Sequence, residues 1–525
     1  MRHIQKTQKA GAREGPRSIK AVNLGAHSGP LRLVAFSDYR VQDIELLIEE
    51  LSKLQPRADL ILYAGDDIER FRPPGGRNLF EAIAAQARYG LCAVVGNDEV
   101  PSVRKLVSGE AVLNVHLLPA TLGGYAILGL DGAPNRPGIG MGFILHSEQE
   151  IAKHLSLQRR TVGAAQLIIV SHAPPEGILD RAVRFSPDKK PRSIGSRALR
   201  KFVKDRKEVV LVVCGHVHRC GGLHQKAYGT SVVNAANHDD GKAITRFAIM
   251  ELESAGLETI EWRQIRPVCI VPGIGPVSAD HLRGIGIRTV EELATAPAEI
   301  VRRTVHFGHL PEVLMARARA IVENRPIFLR PPGSTGDDEV FLDIETDLNQ
   351  KYIWLIGICV GGKGKYRGFF AESPKEEKKI LRDFLRFMES HPEAKLLTCS
   401  GSRFEERVIR SRLTFHGLST AVCDRTIDLY QDISQTVALP TTSCQVKEIG
   451  AFFGYRYKHP DLDGYRVASL YMHTYQKSKH RLRRRKLGRK LIEYNEDDVR
   501  CLPFILKALE NLWKKEESSG SALNL

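Results

Sequence analysis

Several short polar segments in the first half of the chain carry residue types that bind metal ions, and each follows an apolar run. Carboxylate, amide oxygen and imidazole together suit manganese, iron or zinc, whereas a structural zinc site would use thiolates. Each segment alone is an ordinary turn, but loops at strand ends converge on one edge of a sheet, so the ordered set predicts a metal site there. The segments are Ser37-Asp38, Gly65-Asp66, Gly96-Asn97-Asp98-Glu99, Ser171-His172 and Gly215-His216-Val217-His218.

A second group of acidic residues lies in the last third of the chain. Residues 340–345 (VFLDIE) are predicted to form a strand, whose period of two places Asp343 and Glu345 on one face. Two carboxylates so close together need cations to offset their repulsion. Far downstream, Tyr494 and Asp498 stand four positions apart and share one face of a predicted helix. The order of these pieces predicts a second metal site.

A run of positive charge directly precedes the last of these acids. Residues 477–490 contain nine Lys or Arg and no acid. Such a run forms either a solvated helix face or a surface that holds a nucleic-acid backbone, and its place beside a metal site favours the second interpretation. The side chains assigned to the backbone are Arg483, Arg484, Arg485 and Lys486.

The elements that must position these residues fall into separate regions, as expected for a chain of 525 residues. Alternating strands and helices over 31–264 indicate an α/β layered domain. A small helical segment with a linker over 265–330 and a second α/β domain over 337–515 are predicted to follow. The ends, 1–30 and 516–525, are predicted to be a disordered basic arm and a disordered tail.

Composition narrows the class of protein further. A formal net charge of +16 and a pI near 9.4 favour a polyanionic partner. No uncharged run approaches the roughly 20 residues that span a bilayer, and the N-terminus lacks the apolar core of a secretory signal, so we expect no membrane span. The nine cysteines form no C-x-x-C pair, which indicates a reducing, cytoplasmic setting with Cys214 and Cys359 as core residues.

The ordered polar segments of the first domain resemble the motifs of calcineurin-like metallophosphoesterases, which run Asp-x-His, Gly-Asp, Gly-Asn-(His/Asp), His and Gly-His-x-His. The resemblance covers residues 31–262 and implies a four-layer β-sandwich with flanking helices around a dinuclear centre. It implies Mn²⁺, or Fe or Zn, as the metals, and Asp98 as an acid or transition-state contact. The implied ligands are Asp66 as the bridge, Asp38 and His218 for the first metal, and Asn97, His172 and His216 for the second.

One position departs from that family pattern. Where the family has the histidine of Asp-x-His, this chain has Arg40. A guanidinium cannot bind a metal, and its fixed positive charge opposes a cation nearby. The alternatives are that Arg40 clamps a substrate phosphate, that the domain holds one metal, or that it survives only as a binding or structural module.

The acids of the second domain resemble the RNase H-like 3′-5′ exonucleases that use four acidic residues and end in Tyr-x-x-x-Asp. The match covers residues 339–512 and implies an RNase H-like α/β fold. It also implies that Asp343, Glu345 and Asp498 bind two Mg²⁺ or Mn²⁺ ions and that Tyr494 orients the attacking water.

The middle motif of that family is the weakest match in this chain. Glu405 occupies the place where the family has an Asp, and Gly401 replaces its Asn. Asp428 is the alternative acid, so Glu405 is either the fourth catalytic carboxylate or a surface residue.

The helical segment between the two domains begins with a tight glycine turn, and Thr289 with Glu292 predicts a capping box at a later helix. The segment resembles a helix-hairpin-helix (HhH) unit, whose turn exposes backbone N–H groups to a DNA phosphate. The alternative is a packing segment that joins two enzymes. The residues that the resemblance assigns to phosphate binding are Gly273, Gly275, Arg283 and Arg288.

Together these features predict a metal-dependent phosphodiesterase of nucleic acid, DNA rather than RNA, with an exonuclease centre near the C-terminus and a phosphoesterase centre near the N-terminus. One alternative is a nucleic-acid-binding scaffold whose centres have decayed, which Arg40 and Gly401 support. Another is an N-terminal hydrolase of small phosphodiesters or nucleotides.

Overall fold

Contacts within the chain group its residues into two units, 1–270 and 271–525. The computed structural model describes residues 20–39, 44–72, 76–135, 142–163, 165–182, 191–237, 245–304, 310–333, 338–361, 364–400, 403–460 and 462–518. Arg40, Gly401, most of the predicted basic arm and much of the predicted tail lie outside these residues.

Among the described residues, two large β-sheets, the two-stranded sheets β8-β9 and β11-β12, and four α-helices build the first unit. The seven-stranded sheet has the order β1-β6-β7-β10-β13-β15-β14, and the six-stranded sheet has the order β17-β16-β2-β3-β4-β5. The strands are β1 Val22–Gly25, β2 Leu31–Phe36, β3 Leu60–Tyr63, β4 Leu91–Ala93, β5 Val112–Asn114, β6 Ala120–Leu122, β7 Tyr125–Leu130, β8 Ala133–Pro134, β9 Leu145–His146, β10 Gln166–Ser171, β11 Arg181–Ala182, β12 Arg192–Ser193, β13 Val209–Cys214, β14 Leu223–Ala227, β15 Thr230–Asn234, β16 Thr245–Glu253 and β17 Gly256–Ile265. The helices are α1 Ile44–Ser52, α2 Leu79–Ala84, α3 Glu148–Thr161 and α4 Arg197–Lys204.

Alternate side chains of the central strands enter different cores. On β13, Leu211 and Val213 join the core between the two sheets, whereas Val212 and Cys214 join the core beneath α3 and α4. A third core packs α1 and α2 on the other sheet. Because both faces of each sheet are covered, the central strands are apolar throughout. The expected four-layer β-sandwich with flanking helices is confirmed.

The predicted N-terminal arm is partly wrong. Val22–Gly25 form β1, which pairs in parallel with β6, and the carbonyl oxygen of Pro119 accepts a hydrogen bond from the backbone N–H of Val22. Val22 and Leu24 pack against the core between the sheets, so sheet pairing orders a segment that is too short and polar to signal a strand by itself.

A five-stranded sheet forms the centre of the second unit, in the order β21-β20-β19-β22-β23. β19 pairs antiparallel with β20 and parallel with β22, which places it in the middle of the sheet. The strands are β18 Ile327–Phe328, β19 Val340–Thr346, β20 Ile353–Val360, β21 Tyr366–Phe370, β22 Leu396–Thr398, β23 Thr426–Asp428 and β24 Val437–Ala438. The helices are α5 Pro276–Gly284, α6 Val290–Thr295, α7 Ala298–Thr304, α8 Pro311–Glu323, α9 Glu377–Glu389, α10 Phe404–Phe415, α11 Leu429–Thr436, α12 Val446–Phe452, α13 Gly464–Ser469 and α14 Arg481–Ser518, with a π-helical turn at Leu470–Tyr475.

The long helix α14 carries the last acidic motif. The spacing of its apolar residues gives the helix an apolar face along much of its length. Leu491 and Tyr494 on this face pack in one core of the unit. Val499, Leu502 and Ile505 pack in a second core. The helix runs to Ser518, so its end lies inside the region predicted to be a tail. Among the described residues, no helix is both long and apolar enough to cross a membrane.

The helical segment belongs to the second unit and is fixed to it by a buried cation. Arg317 on α8 is 4% exposed, and its guanidinium donates to the carbonyl oxygens of Pro272 (2.7 Å) and Ser434 (3.0 Å). The capping box of Thr289 and Glu292 at the start of α6 is confirmed. Packing is therefore one role of this segment, while its HhH character stays a prediction.

Candidate metal centres

Loops after five strands carry the predicted ligands of the first centre. Asp38, Asp66 and Asn97 follow β2, β3 and β4, which pair in parallel, and the histidines follow β10 and β13, a parallel pair in the other sheet. Carboxyl ends of parallel strands meet at one edge of a sheet. One donor atom from each of Asp38, Asp66 and His172 lies within 4.8 Å of the others, and all three residues are buried. The fold thus brings together the acids and imidazole that the motifs predicted.

Asp38 is held in place by donors from two loops. Its Oδ2 accepts hydrogen bonds from Ser37 Oγ (2.6 Å) and His216 N (3.1 Å), and its Oδ1 lies 3.0 Å from His218 Nε2. Burial would raise the pKa of Asp38, but the hydrogen bond from His218 and the charge of His172 hold it below its usual range. Asp38 is therefore an anionic ligand that is oriented by its surroundings.

The tautomer of His172 suits a metal ligand. Its Nδ1 lies 2.7 Å from the carbonyl oxygen of Ala64, so in the neutral ring Nδ1 donates and Nε2 keeps its lone pair. Nε2 lies 2.9 Å from Asn97 Oδ1 and 3.3 Å from Asp66 Oδ2. Burial lowers the pKa of His172, but the charge of Asp66 raises it to about 9. A cation bound at these oxygens would take the place of that proton.

His216 completes the group as a neutral imidazole. Its ring centroid lies 5.0 Å from that of His172. Burial and the charge of His172 lower the pKa of His216 to about 4, so the ring is an electron-pair donor at neutral pH.

Glycines next to the ligands are required by close approach. A Cβ on Gly96 would lie 1.7 Å from Asp66 Oδ1, and a Cβ on Gly215 would lie 2.3 Å from Asp38 Oδ2. Asp38, Asp66 and His216 themselves have positive φ of 52°, 59° and 65°. Strained backbone of this kind is concentrated at functional sites, which explains why the motifs are Gly-Asp, Gly-Asn and Gly-His.

Asp98 lies at the rim of the first centre. It is exposed, its backbone N–H donates to Asp66 Oδ1 (3.2 Å), and its Oδ1 accepts from Asn97 Nδ2 (2.6 Å). An exposed carboxylate beside two ligands can reach a substrate, as its predicted role requires. Arg40 lies outside the described residues, so the clamp hypothesis stays a prediction.

The second centre forms where β19 meets α14. Donor atoms of Asp343, Glu345 and Asp498 lie within 4.8 Å of one another. Burial first, and then the charges of neighbouring acids, raise the pKa of Asp343 and of Glu345 well above the usual range. Burial also raises the pKa of Asp498 to about 6. Three carboxylates this close together, one buried and two half-buried, are stable only when protons or cations neutralise them, which fits a divalent-metal site.

Two residues that the sequence motifs did not indicate contact these acids. Asn495 is fully buried, donates from Nδ2 to Asp343 Oδ2 (2.6 Å) and accepts from the Tyr366 hydroxyl (2.8 Å). Lys447 on α12 places Nζ 3.8 Å from Asp498 Oδ1. Asn495 stands beside the Tyr-x-x-x-Asp motif, so its position on α14 was a usable signal, whereas nothing in the local sequence of Lys447 indicated its contact.

Tyr494 is placed beside Asp498 as its motif predicted. The charge of Asp498 acts on the Tyr494 hydroxyl, and Lys447 Nζ lies 3.8 Å from the centroid of the Tyr494 ring. Burial and the charge of Asp498 raise the pKa of Tyr494, so the hydroxyl stays protonated and can donate.

The structure separates the two candidates for the fourth acid. Asp428 caps α11 by accepting from Tyr430 N (3.0 Å) and also accepts from Ser400 N and Arg403 N (3.2 Å each). Glu405 is 6% exposed, its Oε2 has no hydrogen-bond partner among the described residues, and its charge acts on Asp343. Glu405 is thus the carboxylate with unused binding capacity, and Asp428 is occupied by backbone donors.

The raised pKa of Asp498 predicts a pH dependence of stability. The folded pKa of about 6 exceeds the unfolded value of about 3.9, so the folded state binds more protons and the free energy of unfolding falls as pH rises between these values. In chelator, denaturant titrations should show this fall, and Asp498→Asn should reduce it. A variant with the same slope as wild type would contradict the neutralisation argument.

The contacts of Asn495 predict a supporting role in metal binding. Replacing an outer partner of a ligand typically lowers metal affinity by about 10–100-fold, so we expect that loss for Mn²⁺ in Asn495→Ala. Titration calorimetry would measure it. Lys507→Ala, on the exposed side of the same helix, is the matched control and should bind Mn²⁺ as wild type does. Equal affinities for all three proteins would show that Asn495 only packs.

The geometry of the two centres defines a metal-dependent hydrolase, and comparison with known families agrees. Residues 31–220 match the calcineurin-like phosphoesterase family, and residues 340–510 match the RNase H superfamily. The chain therefore combines a calcineurin-like phosphoesterase domain with an RNase H superfamily domain, and both belong to families of divalent-metal hydrolases that act on phosphoester bonds.

Solved structures with partial similarity come from several proteins. TT1561 of Thermus thermophilus is 15% identical over 45% of this chain and 99% of its own, with a TM-score of 0.34. A hypothetical protein from the same organism is 14% identical over 45% of this chain and 98% of its own, with a TM-score of 0.28. The family B DNA polymerase of Pyrobaculum calidifontis is 11% identical over 55% of this chain and 45% of its own, with a TM-score of 0.25. No curated protein matched the chain.

Proposed function

We propose that the second unit is a two-metal 3′-5′ exonuclease that acts on DNA in preference to RNA. The observation that supports this most directly is the convergence of donor atoms of Asp343, Glu345 and Asp498 within 4.8 Å. Bound Mg²⁺ or Mn²⁺ would stabilise the attacking and leaving oxygens of a phosphodiester.

The side chains of the chain supply the rest of the chemistry. Asp343, Glu345 and Asp498 would hold the cations, and Glu405, whose charge acts on Asp343, would add a fourth carboxylate. Asn495 fixes the carboxylate of Asp343 by its hydrogen bond. The protonated Tyr494 hydroxyl orients a water molecule for in-line attack, since it can donate to one oxygen while it accepts from another.

We further propose that the first unit is a dinuclear phosphodiesterase that uses Mn²⁺, or Fe or Zn. Asp66 would bridge the metals, Asp38 and His218 would bind one, and Asn97, His172 and His216 the other. Asp98 at the rim would donate a proton to the leaving oxygen or contact the transition state. The support is the convergence of buried Asp38, Asp66 and His172, with the tautomer of His172 set by its contact with Ala64, and such a mixed set suits borderline cations better than Mg²⁺.

Digestion of end-labelled single- and double-stranded DNA and RNA with Mn²⁺ tests the exonuclease activity of the second unit and its preference for DNA. Wild type should shorten DNA stepwise from the 3′ end and degrade RNA more slowly. Internal cleavage, or removal of nucleotides from the 5′ end, would contradict the exonuclease assignment. Full activity on RNA alone would contradict the preference for DNA.

The start of α14 supports a nucleic-acid surface on the same helix as Asp498. Arg483, Arg485 and Lys486 are exposed. Arg484 is engaged within the unit, since its Nη2 donates to the carbonyl oxygen of Glu372 (3.0 Å) and its guanidinium lies 4.8 Å from the ring centroid of Tyr475. We therefore propose the three exposed cations as phosphate contacts and Arg484 as a structural residue.

Salt dependence of binding measures those contacts. Replacing Arg483, Arg485 and Lys486 by Gln should flatten the log-log salt dependence for single strands by up to about 2 units, at roughly 0.7 per contact. Arg484→Gln is the control and should change the slope by less than one contact. A slope unchanged by the triple substitution would mean that these side chains face solvent in the complex.

The glycine turn before α5 is proposed as a second, sequence-independent phosphate contact. Gly273 has a φ of 94°, and Gly275 caps the N-terminus of α5. Arg288 stands before the capping box of α6, and Arg283 pairs with Asp280 (2.5 Å). Backbone donors and nearby cations of this kind bind phosphate without reading bases, in line with an enzyme that degrades any sequence.

A further inference from the structure

A third group of metal-binding side chains lies in the first unit and takes no part in the two centres. One donor atom from each of His116, Asp131 and His146 lies within 4.8 Å of the others. Asp131 follows β7, His146 ends β9, and His116 lies between β5 and β6. Three separate segments therefore bring two imidazoles and one carboxylate to one point.

The carboxylate of Asp131 is fully buried and is approached from several sides. Its Oδ2 accepts from Arg104 Nε (2.6 Å), and its Oδ1 lies 2.7 Å from His146 Nε2 and 3.3 Å from His116 Nδ1. Arg104 offsets the charge of the carboxylate and leaves Oδ1 as the oxygen that both histidines share.

The hydrogen bonds define which atom of His116 carries a lone pair. The backbone N–H of Asp131 points at His116 Nδ1 over 3.3 Å, so this nitrogen is an acceptor. Burial lowers the pKa of His116 to about 3, which keeps the ring neutral. The lone pair of Nδ1 thus accepts this long N–H contact, and a cation bound to Nδ1 and to Asp131 Oδ1, which lies 3.3 Å away, would displace it.

Neighbouring side chains hold His116 in this orientation. His154 stacks on the His116 ring with centroids 4.2 Å apart, and its Nε2 accepts from Gln158 Nε2 (2.6 Å). The same amide nitrogen of Gln158 lies 3.0 Å from the carbonyl oxygen of His116. Such outer partners orient metal-binding imidazoles.

We propose that His116, Asp131 and His146 form a third metal site that takes Zn²⁺ or a similar borderline divalent cation. His116 Nδ1, Asp131 Oδ1 and His146 Nε2 are the ligands, and a water molecule fills the fourth position of a tetrahedral site. Binding requires a lone pair on His146 Nε2, so the proton that the neutral ring shares with Asp131 moves to Nδ1 of the same ring when the cation binds.

The same loops support the backbone of Asn97. Phe143 N and Ile144 N donate to the carbonyl oxygen of Asn97 (2.7 and 3.2 Å), and Gly132 N donates to that of Val95 (2.9 Å). The third site joins the segment of Gly132 to that of Ile144. A metal ion there therefore restrains the two segments that hydrogen-bond the backbone near Asn97, a proposed ligand of the phosphoesterase centre.

Metal counting in a background that disables the other centres tests the site. The full chain with Asp66→Asn and Asp343→Asn is dialysed against Zn²⁺ and compared with the same protein carrying His146→Gln in addition. We expect one fewer zinc equivalent in the second protein, and at least about tenfold weaker binding by titration calorimetry. Cobalt substitution should give the d–d absorption of a four-coordinate nitrogen and oxygen site only in the first protein.

Two controls keep the result interpretable. His224→Gln removes an exposed imidazole from β14 and should leave zinc content unchanged, which excludes loss of non-specific binding. If His146→Gln fails to fold by circular dichroism, His116→Gln takes its place. Equal zinc content and equal cobalt spectra with and without the third-site substitution would overturn the proposal and leave a buried ion-pair network.

Discussion

Asp343→Asn should abolish metal-dependent shortening of labelled DNA while the chain stays folded. The substitution removes one of three carboxylates within 4.8 Å, and so weakens both the binding and the orientation of the cations. Loss of an outer partner alone costs about 10–100-fold, so loss of a ligand should exceed about 100-fold. Asp498→Asn should do the same, because Asp498 also positions Tyr494.

A matched control separates this result from misfolding. Asp424→Asn changes an acid of the same unit that is 70% exposed in its side chain and should leave nuclease activity unchanged. In chelator, Asp343→Asn should be at least as stable as wild type, because the amide needs no proton to be neutral beside the neighbouring acids. A variant that shortens DNA at the wild-type rate would show that the second centre is not the nuclease.

Asp66→Asn should remove hydrolysis of a chromogenic phosphodiester and leave DNA shortening intact. Asp66 belongs to the group of three donors within 4.8 Å, and its Oδ1 also accepts the backbone N–H of Asp98. The change should therefore weaken metal binding and alter the position of Asp98. His216→Ala should act alike, since it removes a neutral imidazole. We expect a loss of more than about 100-fold for either variant, again above the cost of an outer partner.

This prediction also requires that phosphodiester hydrolysis and DNA shortening be independent of each other. Ligands of the first centre lie in the first unit and ligands of the second centre in the second unit. His224→Gln serves as the control for surface histidines. If wild type hydrolyses no phosphodiester with manganese, zinc, nickel or iron, the first unit is a decayed module. If Asp66→Asn also stops DNA shortening, the two activities do not belong to separate centres.

The sequence alone determined the ligand motifs and the elements that carry them. A glycine next to Asp66 or Asn97 is a local signal, because the backbone turn and the missing Cβ are needed wherever a ligand approaches so closely. The alternation that placed Asp343 and Glu345 on one face is equally local, since a strand has a period of two. Both were therefore predictable from neighbouring residues.

Tertiary structure decided which of these residues meet and what else they touch. The occupation of Asp428 by backbone donors, the engagement of Arg484 and the contact of Lys447 with Asp498 each depend on segments distant in the chain. The strand at Val22–Gly25 exists because β6 pairs with it. Local sequence fixes backbone periodicity and turn chemistry, but the distance between two side chains from remote segments is set only when sheets and helices pack, and the group of His116, Asp131 and His146 therefore became visible only in the folded chain.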